Sequence, residues 1–126
     1  MTLSAPRLST IRRLYAVSRN QCAYPECRVP IFEYSTGSLL GELCHINAKA
    51  TGGPRFDIRQ SSEQRHGFDN LVLMCSIHHT KIDAPENLST YTAERLREIK
   101  RNHEGQSPAT DESLAIRRLN CYALSA

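Results

Sequence analysis

The stretch Asn70-Leu71-Val72-Leu73-Met74-Cys75-Ser76-Ile77-His78-His79-Thr80-Lys81 decides how this chain folds. Leu71 to Met74 are apolar without alternation, which reads as a strand buried on both faces. A short helix is predicted from Cys75 to about Asp83. Cys75 and His78 are spaced so that both can bite one ion from the start of that helix. Strand, metal pair and helix thus follow one another without a gap.

The matching pair lies upstream in Cys22-Ala23-Tyr24-Pro25-Glu26-Cys27, a tight turn punctuated by Pro25. Cys22, Cys27, Cys75 and His78 supply four soft or borderline ligands, the number and type that tetrahedral zinc takes. The first spacing is wider than the commoner C-x2-C but still within the tolerated range. A metal held there closes a long loop and fixes the N-terminal segment onto the second half of the domain. Unrelated buried thiols with a surface histidine are the plainer alternative, and paired spacings at both ends argue against it.

Outward from these pairs the elements are short. A helix capped by Ser9 or Thr10 is predicted through about Ser18, with Ile11, Leu14 and Tyr15 as its apolar face. Residues 31–34 and 39–46 read as strands around Ser35-Thr36-Gly37, and 50–64 as a long polar loop. Beyond Pro85, Thr92 caps a clearer helix whose face is Leu96, Ile99 and His103. Residues 106–113 resemble a linker, and 114–124 a last helix. Cys121 stands apart from both metal pairs.

The chain has 126 residues, 40% of them hydrophobic and 6% aromatic, with no Trp, so its core is modest and a stapling metal is physically useful. Net charge is +3, which is compatible with nucleic acid but too small to argue for it alone. No apolar run approaches bilayer length, and the first residues carry no apolar signal core, so a cytoplasmic protein with no membrane partner is expected. Five cysteines in a reducing compartment read as ligands rather than disulfides.

Glu42-Leu43-Cys44-His45-Ile46, Asn70 to Cys75 and His78-His79-Thr80-Lys81 together resemble the HNH endonuclease family, over residues 22–83. The resemblance implies an α+β fold: a ββα-metal finger, stapled by a structural zinc and flanked by helices. It implies a nuclease domain over 1–105, followed by a linker and short C-terminal helix over 106–126. His45 is then the general base, Asn70 the middle motif residue, and His79 a ligand of a catalytic divalent cation, Mg or Mn. Gly52-Gly53-Pro54-Arg55, Arg65 to Asn70 and the stretch from Tyr91 to Glu104 further resemble a bacterial subgroup of anti-phage effector nucleases. Some of these are fused to a sensor, so a homodimer or a separate regulatory partner is compatible with the chain.

The residue types suit the chemistry. A neutral His is a suitable base near pH 7, and one divalent cation can polarise a phosphate. Neighbours on a helix point about 100° apart, so His78 and His79 face two ions rather than one. Asn70 can bridge the loop after His45 to the strand, orient the base, or simply cap a turn after Asp69. Cys44 occupies a position where the family often has Asp or His. It is a small buried residue, a ligand for a softer metal, or a bystander for which Glu42 substitutes. His66 can assist the site or lie on the surface. Arg55, Lys81, Arg12 and Arg13 are candidate DNA phosphate contacts, or solvated surface charge. The rival reading is a non-catalytic zinc module that binds nucleic acid or a protein.

Overall fold

A strand that is apolar at every position needs cover on both sides, and that requirement organises the middle of this molecule. The computed structural model describes residues 2–105. In it, Leu71–Cys75 forms a strand, β2, buried at all five positions. It pairs antiparallel with β1, Gly41–His45, in the register Gly41 to Cys75, Leu43 to Leu73 and His45 to Leu71. Four helices surround this two-stranded sheet: α1 (Leu8–Ser18), α2 (Ser62–Arg65), α3 (Ser76–Asp83) and α4 (Ala93–Glu104). The fold is a small mixed α+β unit. Among the described residues, no helix is long and apolar enough to cross a membrane.

The two faces of β2 build two clusters. Leu71 and Leu73 pack with Leu14 and Val17 of α1, with Ile31 and with Phe68. Val72 and Met74 turn the other way, onto Cys44, Ile46, Ile82 of α3, and Leu96 and Ile99 of α4. Burying each such side chain contributes roughly 1.5–3 kcal/mol. The sheet is therefore a septum between α1 on one side and α3 with α4 on the other.

Several elements differ from the sequence expectation. Helix α1 begins at Leu8, with Arg7 at its cap and no side-chain cap bond, so Ser9 and Thr10 lie inside its first turn. Its buried stripe is Leu14, Val17 and Ser18, and Tyr15 is exposed, because Leu14 and Val17 are the pair that reaches β2. Residues 31–34 form no strand. Their pairing with the segment that leads into β1 is limited to one bridge, Phe32 to Leu39, and two bonds to the Ile31 carbonyl, while β1 pairs along its length with β2. The polar loop over 50–64 gives way to α2, started by a capping box between Ser61 and Gln64. Thr92 does cap α4, its side chain accepting from the Arg95 amide. The linker and helix expected within 106–126, and Cys121, lie outside the described residues.

Candidate metal centre and histidine cleft

The loop before Val29 and the β2–α3 junction meet at Cys22, Cys27, Cys75 and His78. Their ligand atoms all lie within 4.8 Å of one another. Glu26 sits at φ 66°, a left-handed position that closes the turn, and the Cys27 amide donates to the Tyr24 carbonyl at 3.0 Å. That curl is how the wider spacing still brings both sulfurs to one point. Across the site the Cys75 amide donates to Cys22 Sγ at 3.2 Å. His78 Nδ1 lies 3.2 Å from Cys75 Sγ and 3.7 Å from Cys22 Sγ.

Burial, with Cys75 and Cys27 nearby, pushes the Cys22 thiol up to about 12, although backbone amides oppose it. Burial and Lys81 hold His78 below its usual value, so its imidazole is neutral, the form that binds metal. The His78 ring stacks flat on Tyr24, centroids 3.9 Å apart, which fixes its direction. Tyr24 is in turn held by a 2.6 Å hydroxyl contact with Tyr91. Three sulfurs and one imidazole nitrogen suit tetrahedral zinc, and these four residues could hold a structural zinc ion. Among the described residues no other set of three or more Cys, His, Asp or Glu side chains converges in this way.

His79, the next residue on α3, points away from that centre. Its Nδ1 meets Glu42 Oε1 at 2.6 Å, and its Nε2 meets Asp83 Oδ2 at 3.1 Å. Asp83, with Cys44 and Glu42 adding to it, pushes His79 up to about 11, so the ring is a cation between two carboxylates. Burial alone would raise Asp83, but its bonds to His79 and Arg55 outweigh that and hold it below the usual range. Cys44 is fully buried against Ile46, Val72 and Met74, and burial pushes its thiol up. Its Sγ contacts the Glu42 carbonyl oxygen at 3.6 Å.

A cleft of about 670 Å³ opens beside this cluster, lined by His45, His66, His79, Asp83 and Lys49, with Ser4 to Pro6 along one wall. His45 ends β1 half-buried. Its Nε2 lies 3.1 Å from Nδ1 of His66, with the rings edge to face. Burial first, then the neighbouring His66 and Lys49, pushes His45 down to about 4. At neutral pH it is uncharged.

Asn70 sits behind the cleft, buried. Its Oδ1 accepts from the Asn47 amide at 3.0 Å, and its Nδ2 donates to the carbonyls of Asn47 and Arg65, both at 2.9 Å. The segment after His45 and the segment before His66 are thereby tied to the start of β2.

The expected phosphate-contacting residues are scattered. Arg55 requires a correction. Its side chain is only 6% exposed. Its guanidinium donates to the carbonyls of Ile46 and Ile82 and pairs with Asp83. These bonds hold the buried guanidinium inside the fold, away from the surface where a phosphate contact was expected. Arg12 is exposed on α1, and Arg13 lies over the Phe68 ring at 3.8 Å, both on the α1 side of the sheet. Lys81 is exposed above Tyr24, beside the metal centre rather than in the cleft.

Sequence reasoning does not single out Asp83, although it lies four residues after His79 on one helix, where side chains meet. For His66 it leaves open a role in the site or a place on the surface, and the fold buries it in the cleft wall beside His45. No family model matches the chain, and no curated protein matches it.

Proposed function

We propose that this protein is an HNH-type, metal-dependent endonuclease that hydrolyses phosphodiester bonds in DNA, with β1, β2 and α3 as its ββα-metal finger. One observation carries the reading: an uncharged histidine, His45, shares a cleft with His79 and Asp83, which belong to an acidic cluster. Hydrolysis of a phosphodiester needs a base for water and positive charge at the phosphate.

His45 is the base. Its low proton affinity keeps it unprotonated, and an anionic phosphodiester bound beside it would raise that affinity toward the working pH. Asn70 keeps the backbone after His45 from shifting. His79 would bind the catalytic cation through one ring nitrogen, with the carboxylate on that side, Glu42 at Nδ1 or Asp83 at Nε2, as its partner. The carboxylate suits Mg or Mn, whereas the buried thiol of Cys44 does not. His79 must release its proton first, so this affinity rises with pH. When bound, the cation supplies the positive charge that polarises the scissile phosphate. The knuckle zinc holds α3, and hence His79, in place. Lys81, Arg12 and Arg13 contribute weak, sequence-independent phosphate contacts. The resemblance to anti-phage effectors extends the proposal to a defence nuclease that acts as a homodimer or under a separate sensor.

The test is plasmid nicking with Mg and with Mn, comparing the parent with His45→Ala. His45→Ala should lower cleavage by about a hundredfold or more while zinc content and DNA binding stay unchanged. Parent-rate cleavage by that variant would discard the mechanism in favour of a non-catalytic zinc module.

A further inference from the structure

We propose that His66 is the positioning residue for His45: it accepts a hydrogen bond from His45 Nε2 and so leaves His45 Nδ1 as the nitrogen that takes a proton from water. The inference rests on the reading of His45 as general base.

His45 Nε2 and His66 Nδ1 lie 3.1 Å apart. Two ring nitrogens bond only when one carries hydrogen and the other a lone pair. If His66 were the donor, the His45 Nε2 lone pair would be occupied and its Nδ1 would carry the proton. No base would remain. If His45 is the donor, Nδ1 keeps a free lone pair on a ring that lines the cleft. Only the second arrangement allows His45 to accept a proton.

The partner is held in place. His66 is 5% exposed. It caps the C-terminal end of α2, its amide donating to the Ser62 carbonyl at 3.1 Å. Helix α2 is fixed at its other end by the reciprocal Ser61–Gln64 bonds. The chain then turns at Gly67, where a Cβ would come within 3.0 Å of the Glu63 carbonyl oxygen. Asn70 closes the frame, because the same amide that bonds Asn47, two residues after His45, also bonds the carbonyl of Arg65, one before His66. One side chain thus ties the backbone just after His45 to the backbone just before His66.

The pair also favours the charged state. When water gives its proton to His45 Nδ1, the Nε2 hydrogen stays where it is and its bond to His66 becomes charge-assisted, roughly twice as strong as the neutral one. That gain arises only as charge develops, which is the condition for lowering a barrier. The hydroxide bonds to phosphorus as the phosphorus–oxygen bond to the leaving sugar breaks, that oxygen takes up a proton from solvent, and His45 returns its own proton to solvent after product release. Burial first, then the nearby Lys49 and Arg65, holds His66 below its usual value, which favours the neutral ring that can accept through one nitrogen.

Two measurements test this on the zinc-loaded protein. Long-range 15N–1H correlation of the imidazoles should show His45 as the Nε2–H tautomer, and the His66→Leu variant should lose that preference. In plasmid cleavage His66→Leu should lower kcat by at least about tenfold, part of the 10²–10⁴-fold that a general base contributes, with KM little changed. His66→Asn, which places an acceptor oxygen near the position of Nδ1, should recover part of the loss. A parent protein with His45 in the Nδ1–H form overturns the inference, whatever the variants do. An inactive His45→Ala with a fully active His66→Leu overturns it alone, leaving the endonuclease reading intact. A fully active His45→Ala overturns both.

Discussion

Arg55 follows Gly52-Gly53-Pro54 in the sequence and looks there like an exposed loop cation. Its true surroundings are carbonyls from β1's end and α3's end, and segments so far apart give no local sign of meeting. Arg55→Ala should therefore act on the fold, lowering stability by about 2–3 kcal/mol by urea denaturation, since carbonyls and part of Asp83 lose their partner. Arg55→Lys should recover little, because an ammonium cannot reproduce the fork. His103 makes a separate, pH-dependent prediction. It is buried near the end of α4, and burial, with Arg19 and Lys100 beside it, pushes it down to about 4, against the opposing carbonyls of Ser18 and Gln21. Above pH 6.5 both folded and unfolded histidine are neutral and its contribution is complete. Between pH 6.5 and about 4 the unfolded chain takes up a proton that the folded one refuses, so stability falls with pH, by up to about 3 kcal/mol in all. Below that window the difference is constant. His103→Leu should flatten this part of the stability profile relative to the parent, and identical slopes would show that His103 is not the group responsible.

Elements whose evidence is local were readable in advance. The apolar run of β2, the β2–α3 junction and the Thr92 cap of α4 need only neighbours in sequence to be seen. The Ser61–Gln64 capping box is equally local, but it sits inside a polar stretch that has the composition of a loop. What could not be read was strand partnership, since residues 31–34 have strand composition yet make only an isolated bridge to Leu39, and β1 pairs along its length with a strand far downstream. Gly41 marks the cost of that pairing. A Cβ there would lie 2.7 Å from two side-chain carbons of Ile31, which is completely buried. Gly41→Ala should destabilise by about 1–3 kcal/mol through overpacking. Because Gly41 lies opposite Cys75, the same variant should also release zinc faster to a chelator. A thermal melt matching the parent's would show that Ile31 can move aside.

At the scale of the molecule, the candidate metal site would add a cross-link between segments that the apolar cluster of Leu14, Val17 and Ile31 with Leu71 and Leu73 also joins. Cys22 and Cys75 are 53 residues apart. The knuckle spacing made this centre legible from sequence, whereas the cleft's acidic side was only partly so, because Asp83 belongs to it through a fold that brings α3 alongside β1. Cys75→Ser should yield unfolded or insoluble protein with no bound zinc, read by circular dichroism and metal analysis, in line with the roughly 10–16 kcal/mol that zinc binding supplies to small domains. A well-folded, zinc-free Cys75→Ser protein would refute the structural role. His78 and His79, back to back on α3, add a constraint of phase. Each residue inserted or removed turns everything after it by about 100° and advances it 1.5 Å. Ile77, between Cys75 and the two histidines, is 72% exposed. Its chemistry is therefore free to vary, and Ile77→Lys should change stability by no more than about 0.5 kcal/mol. Deleting Ile77 should rotate one histidine off the zinc and the other off Glu42. At this position it is the count of residues, and not their identity, that the molecule keeps.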